Sequence, residues 1–383
     1  MCIEKNEVHV IIAPSPWNED PITYRRHRLA NFINNQDKTK RVIWISPMNT
    51  EISSLFKDPE IRSLENGILQ VTVNDWKSIV KHFPFFQKKL SNQIMKMKNE
   101  QVQFYLWYTY PAFAYLSTLP IWQTIIYDCS DHWEKSEKSD NLIMDRIKRK
   151  MIGETEKKII HAANSCFASS IFLQKHLYES AKKQAILIEN GVDLSYFDNK
   201  DINSNSYRGE MPVLGFVGGL KPWKIDFLLL LDMAKKKMDW KFILIGATYG
   251  KMNKAFEQLE KLPNVSVLEP VALADVSIYM KEFSIGIMPY LENEYNQGVF
   301  PLKFFEYLAS GLPVVGCGLP STEHYVETGI YEHVQNKTDI FINACEKVLN
   351  NQNTNASADR RKYVAKESGW DRKLHFIWNE SRK

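Results

Sequence analysis

NQGVFPLKFFEYLASGLPVV, residues 296–315, contains an apolar helical run that also carries Lys303 and Glu306 and stops at Gly311 and Pro313. Beyond the stop the chain enters a short apolar run, PVVGCG (313–318), of the kind that forms a buried strand. Lys303 and Glu306 lie three residues apart and so share one helix face. A carboxylate there can accept the two vicinal hydroxyls of a ribose, and a lysine can meet phosphate as a point charge. The same pair also suits a surface ion pair worth under ~1 kcal/mol.

Outward from this stretch, short apolar runs alternate with helical patterns. VHVIIA (8–13), RVIWIS (41–46), ILQVTV (68–73), VQFYLWY (102–108), TIIYDC (124–129), SCFAS (165–169) and AILIEN (185–190) precede it. VLGFVGG (213–219), KFILIGA (241–247), VSVLEP (265–270) and IGIMPY (285–290) lead into it. Runs apolar on both faces and separated by helices indicate parallel strands in an α/β fold. Between the two sets, residues 197–212 are polar, rich in Asn, Ser and Asp, and read as a linker. With 383 residues, two domains are expected: 1–195, and 196–365, each a Rossmann-like doubly wound sheet. A C-terminal helix (366–383), with Trp370, Leu374 and Ile377 on one side, is expected to pack back on the first. Such sheets bind ligands outside the carboxyl ends of their strands, so a cleft between the domains is expected.

Composition excludes several classes. Hydrophobic residues make up 44% and charged residues 25%, as in an ordinary globular protein. A net charge of +4 without a concentrated basic stripe gives no indication of a nucleic-acid partner. Cys2, Cys129, Cys166, Cys317 and Cys345 are scattered and form no CxxC pair, which suits a reducing cytosol. MCIEKNEVHVIIAPSP reads as a first strand rather than a signal peptide, and no run reaches the ~18 apolar residues of a membrane span.

Two further segments complete the donor half. GFVGGLKPWK ends a strand in Gly218 and Gly219 and then offers Lys221 and Lys224, a turn that allows close backbone approach to an anion; it also suits a tight turn with solvated lysines. ENGVDLSYF (189–197), VGGLKPWK (217–224) and PLKFFEYLASGLPVV (301–315) stand in an order and spacing that resembles the GT-B glycosyltransferases, most closely family 4. Within it the chain is similar to the bacterial teichuronic-acid glycosyltransferases of cell-wall polysaccharide synthesis. The resemblance implies a nucleotide-sugar site formed by Gly218, Gly219, Lys224, Gly298, Val299, Lys303 and Glu306. Glu306 matches the second carboxylate of the E-x7-E motif and is implied at the ribose; Lys224 matches the phosphate-binding lysine. Gly219 stands where a basic residue is usual and Gly298 where the first glutamate is usual, which puts a retaining reaction in doubt. Lys303 could replace the lost cation.

A general base is sought in the first domain, where IIYDCSDHWEKS offers Asp128, Asp131 and His132. Either aspartate also suits a helix N-cap. The resemblance implies acceptor contacts in WNEDPITYRRHR (17–28), at Trp17, Glu19, Arg25 and Arg26; a solvated helix start would read the same way. No HExxH, His/Cys cluster or D-x-D is present, so no metal and no cofactor is expected, lysines and a helix end neutralising the leaving diphosphate.

KHFPFFQKKLSNQIMKMK (81–98) interleaves five lysines with Phe83, Phe85 and Phe86, and DRIKRKMIGETEKK (145–158) adds a second basic stretch. Both suit an anionic membrane surface, and both equally suit helices closing over their own domain. The expected function is transfer of a sugar from a UDP-sugar, UDP-glucuronate in particular, to a lipid-linked or growing polysaccharide at the cytoplasmic face of the membrane. The alternatives are a UDP-sugar epimerase of the same fold and a catalytically silent nucleotide-sugar binding module.

Overall fold

The computed structural model describes residues 6–19, 23–136, 142–197, 211–327, 329–351 and 354–383, so the polar interval 197–212 lies almost wholly outside the described residues. The chain divides into two units, Met1–Glu189 with Leu374–Lys383, and Asn190–Lys373.

The first unit is built on eight strands: β1 (Glu7–Ile12), β2 (Thr39–Asn49), β3 (Glu60–Ser63), β4 (Leu69–Asp75), β5 (Gln103–Tyr108), β6 (Trp122–Cys129), β7 (Ser165–Ala168) and β8 (Ile186–Leu187). Their order is β3-β4-β2-β1-β5-β6-β7-β8. All neighbours run parallel except β3, which pairs antiparallel with β4 at the edge. Val10 of the central strand lies between Ile43 of β2 and Leu106 of β5. All three are fully buried, and each such side chain contributes about 1.5–3 kcal/mol on leaving water. Because the order reverses on either side of β1, the switch point that favours ligand binding lies outside the carboxyl ends of β1 and β5.

The last residues of the chain pack on this unit. Trp378 lies 5.4 Å from the His9 ring, His375 lies 4.8 Å from Phe32, and Arg382 forms an ion pair with buried Glu7. Burial alone would raise the Glu7 carboxyl, but its bonds to His9 and Arg382 hold it at about 2.

The second unit has six strands: β9 (Val213–Val217), β10 (Lys241–Ile245), β11 (Val265–Leu268), β12 (Ile285–Pro289), β13 (Val314–Cys317) and β14 (Tyr331–His333). They are all parallel, in the order β11-β10-β9-β12-β13-β14, with the reversal between β9 and β12. Alternate residues feed separate apolar layers. Leu214, Phe216, Phe242 and Leu244 join one, while Val217, Ile243, Ile245 and Met288 join the other. A sheet covered on both faces is why these strands read as continuous apolar runs.

Arg361, on the helix Asn355–Glu367, is fully buried and donates to the carbonyls of Gly311 and Gly329, tying the turn that closes the 302–309 helix to its surroundings. Burial brings its guanidinium down to about 10. Arg361→Met is expected to lower stability by about 2–4 kcal/mol by removing the Arg361 donor from the Gly311 and Gly329 carbonyls. Denaturant unfolding of the purified variant checks this; an unchanged midpoint would show that the turn needs no such tie.

Candidate functional site

At the carboxyl end of β9, Gly218 adopts φ +155 and its amide donates to Ile245 O. A Cβ on Gly246, at the end of β10, would lie 1.9 Å from the Gly218 carbonyl oxygen, so the two strands can leave the sheet this close only if residue 246 is glycine. Gly219 keeps ordinary backbone geometry, but a Cβ there would sit 3.0 Å from the Tyr249 ring and 3.1 Å from Lys221 Cε. The aliphatic stem of Lys221 thus runs alongside the space that a side chain at 219 would enter, and its ammonium lies 4.4 Å from the Tyr249 ring centre. Lys224 follows, with Nζ 4.5 Å from the Tyr295 ring centre.

This loop is sewn to the segment before Gly298. Asn296 is fully buried and its side-chain amide donates to Lys224 O (2.9 Å) and Leu291 O (2.8 Å). Asn293 donates to Trp223 O (2.9 Å) and accepts from the Asn296 amide (2.9 Å). Gly298 is in the right-handed helical region (φ −84), so its backbone does not itself demand glycine. Val299 is buried, and its carbonyl accepts from Ser321 Oγ (2.5 Å).

The helix Leu302–Ala309 then begins at Pro301 with no side-chain cap. Tyr307, fully buried, accepts from the Val217 amide through its hydroxyl (2.9 Å), fastening the helix to the strand that ends in the glycines. One residue earlier, Glu306 is buried, and Lys303 Nζ donates to its Oε2 at 2.5 Å. The expected donor residues thus share the carboxyl-end region of β9 and β12, and the lysine and glutamate bond to each other.

In the first unit, Asp128 is the penultimate residue of β6 and is buried. Arg25, buried at the start of the helix Arg25–Asn34, grips it with two bonds, Nε to Oδ2 (2.8 Å) and Nη2 to Oδ1 (2.7 Å), and also donates to Ile188 O. Two residues assigned separately from sequence, one to proton transfer and one to the acceptor, therefore form a single pair. Both oxygens of the Asp128 carboxylate are thereby taken up by the guanidinium. His132 is buried beside Phe172 (5.3 Å) and His176 (4.9 Å), whereas Asp131 is only half-buried. Trp17 stands edge-on to Trp44 and His27, Glu19 is exposed, and Arg26 is buried with its guanidinium over Tyr24 (4.4 Å).

Among the described residues, Glu134, Glu156 and His176 form the group whose ligand atoms come within 4.8 Å of one another, close enough to hold a metal ion. Two of them are already engaged: Glu156 accepts from Tyr127 OH (2.5 Å) and pairs with His176 Nε2 (2.9 Å). Burial opposes charge on His176, yet the Glu156 carboxylate raises its pKa above the ordinary value. The network is a satisfied buried pair lying next to the 131–136 segment. Asn293, Asn296 and Tyr307 escaped the sequence reading of the site, because single amide or hydroxyl residues leave no periodic signal.

Comparison with known proteins bears on both units. Residues 211–351 match the family described as glycosyl transferases group 1. The chain is 37% identical over 381 residues, covering 95% of its length and 94% of the other, to TuaH of Bacillus subtilis (strain 168), named as a teichuronic acid biosynthesis glycosyltransferase. Among solved structures it resembles sucrose-phosphate synthase from Thermosynechococcus elongatus (TM-score 0.72, 13% identity, 98% of each chain). It also resembles Anabaena HepE in complex with UDP and glucose (TM-score 0.66, 13% identity, 97% of this chain and 98% of that one). At these identities the structural likeness is one of fold.

Asn296→Asp would set a carboxylate against two carbonyl oxygens in place of an amide. A stability loss of at least about 3 kcal/mol is expected, against about 1–3 for Asn296→Ala. Equal denaturation midpoints for the two variants would contradict the donor role of this amide.

Proposed function

The chain belongs to the group 1 glycosyltransferases, of GT-B fold, and on that premise we propose that it moves a sugar from a UDP-sugar, UDP-glucuronate in particular, to a lipid-linked or growing cell-wall polysaccharide. One observation carries the donor half. A buried carboxylate, Glu306, sits one turn inside a helix whose N-terminus has no side-chain cap, and that helix is bonded through Tyr307 to the strand ending in Gly218–Gly219. Glu306 suits the ribose hydroxyls as a hydrogen-bond acceptor. Lys221, Lys224 and Lys303, with the helix N-terminus, suit the two phosphates and would stabilise the charge that develops as the diphosphate leaves. Lys221 supplies from two residues downstream the cation that residue 219 lacks. We read the reaction as metal-independent on that count of positive charge. UDP is favoured as the nucleotide because a structural relative binds it, and the acceptor class follows from the name of the curated relative.

In a direct displacement the acceptor hydroxyl attacks the anomeric carbon as the diphosphate departs, and a base takes the hydroxyl proton. We assign that base to Asp131. Asp128 is engaged by Arg25 on both oxygens and His132 is enclosed by rings, so the pair Arg25–Asp128 is assigned to holding the end of β6.

Among the described residues no helix is long and apolar enough to cross a membrane. For contact with a membrane surface, the first unit offers Phe56 and Phe85, each 64% exposed, and Phe83, 46% exposed, with Lys88 and Lys89 beside them. The 81–98 stretch is less basic at its surface than its sequence implied, since Lys81 is buried against Asp75 (3.5 Å). Phe85 and Lys88 are therefore the residues on which the reading rests.

Calorimetric titration with UDP, ADP and GDP, and then with UDP-glucuronate and UDP-glucose, tests the donor assignment. Selective UDP binding is expected, weakened about tenfold or more, roughly 1.4 kcal/mol, in both Lys303→Ala and Glu306→Ala. Absence of nucleotide binding in the folded protein would overturn it. For the membrane, co-sedimentation with vesicles containing anionic lipid is expected at low salt and should fall in Phe85→Asp and Lys88→Glu. Equal partitioning with neutral vesicles would refute it.

A further inference from the structure

The first unit contains a second concavity that the donor and base assignments leave unused. It is a dish of about 570 Å³ between the helix Arg25–Asn34 and the β3–β4 turn, with Trp17 and Asn18 on one side, Asn31 on the helix, and Arg62, Glu65 and Asn66 opposite. We propose that this dish is a subsite for interior sugar rings of a glycan chain. It deepens the transferase reading and rests on that reading for its purpose, since it would grip the acceptor away from the reacting end.

The walls are held in place before any ligand arrives. The Trp17 amide donates to Gln70 Oε1 of β4 (2.7 Å), and its indole stands edge-on to Trp44 (4.8 Å) and His27 (4.7 Å). Opposite, Asn66 donates from its side chain to Asn31 Oδ1 (2.9 Å), its Oδ1 accepts from the Ile68 amide (3.2 Å), and its carbonyl accepts from Asn34 Nδ2 (2.9 Å). Walls fixed in this way avoid much of the ordering cost of binding. By contrast, the side chains of Arg62 and Glu65 are exposed and make no hydrogen bond or ion pair with the described residues, so both are available to a ligand.

The chemistry of the lining selects among ligand classes. An apolar molecule would desolvate Asn18, Arg62 and Glu65 without giving them partners, at a cost of about 1–3 kcal/mol for each buried group. A phosphate or nucleotide would meet Glu65, and the helix offers Asn31 from its C-terminal half, where the dipole is unfavourable to anions. A pyranose matches both components. Its C–H face can lie on the exposed part of the Trp17 ring, and its vicinal hydroxyls suit the planar, two-pronged groups of Asn18, Arg62 and Glu65. The volume has room for more than one ring, so the dish fits a stretch of chain better than a single sugar.

Direct binding tests this without a donor or a known acceptor. The full chain is titrated by calorimetry with cellotetraose, with a tetrasaccharide of alternating glucuronate and N-acetylglucosamine, and with free glucose. Saturable binding of at least one tetrasaccharide, weaker by tenfold or more for glucose, is expected. Asn18→Ala and Arg62→Ala alter exposed side chains and should leave the fold intact while weakening tetrasaccharide binding at least fivefold. Trp17→Phe should retain more affinity than Trp17→Ala. If neither tetrasaccharide binds to protein that binds UDP, or if Asn18→Ala and Arg62→Ala bind as the parent does, the subsite is refuted. Tetrasaccharide binding by protein that fails to bind UDP would sustain the subsite and overturn the donor assignment instead.

Discussion

Two loops in the second unit hold their shape because of one buried amide. The segment 219–226 must present lysines while leaving a strand through a turn, and the segment 290–298 must deliver the chain to an uncapped helix. Among the described residues only a single bridge, Ile225 to Tyr290, pairs the two segments, and both turn carbonyl groups inward. Asn296 answers two of those carbonyls, Lys224 O and Leu291 O, while Asn293 answers Trp223 O and caps the turn that carries Asn296. A buried carbonyl without a donor costs more than a made bond returns, so the amides specify the geometry more than they add to stability. Lys224 and the helix bearing Glu306 take their positions from this arrangement.

The first unit uses charge in a comparable way. Arg25 and Asp128 are both nearly inaccessible, and each would be costly alone; together they join the start of a helix, the end of β6 and the carbonyl of Ile188. Glu156, Tyr127 and His176 repeat the device beneath the 131–136 segment. The less buried residues near the end of β6, Asp131 among them, are thus carried on a backbone that the buried pairs define.

Much of this was legible in the sequence, for a physical reason. Parallel sheets covered on both faces must be built from continuous apolar runs, and those runs mark β1, β2 and β4 to β13 directly. Two of the edge strands carry no such mark: β3 (EIRS) is wholly exposed and β14 (YEH) has three residues. Glu306 and Lys224 were singled out through the resemblance of PLKFFEYLASGLPVV and VGGLKPWK to segments of the family. The pairing of Arg25 with Asp128 spans 103 positions and leaves no local trace. Lys81 was indistinguishable from its solvated neighbours because burial depends on Asp75, contributed by another element.

Lys303 and Glu306 cancel one another in the empty protein, at 2.5 Å and largely out of water. On the donor assignment proposed above, the pair would work as a coincidence detector. A lone phosphate can draw the lysine away only by stranding the carboxylate, and a lone nucleoside can engage the carboxylate only by stranding the ammonium, so either fragment must offset the loss of a charge-assisted bond. A molecule with an anion and a diol at the right separation replaces both halves of the bond at once. Discrimination of this kind would filter out free phosphate and free nucleoside without requiring additional contacts in the pocket.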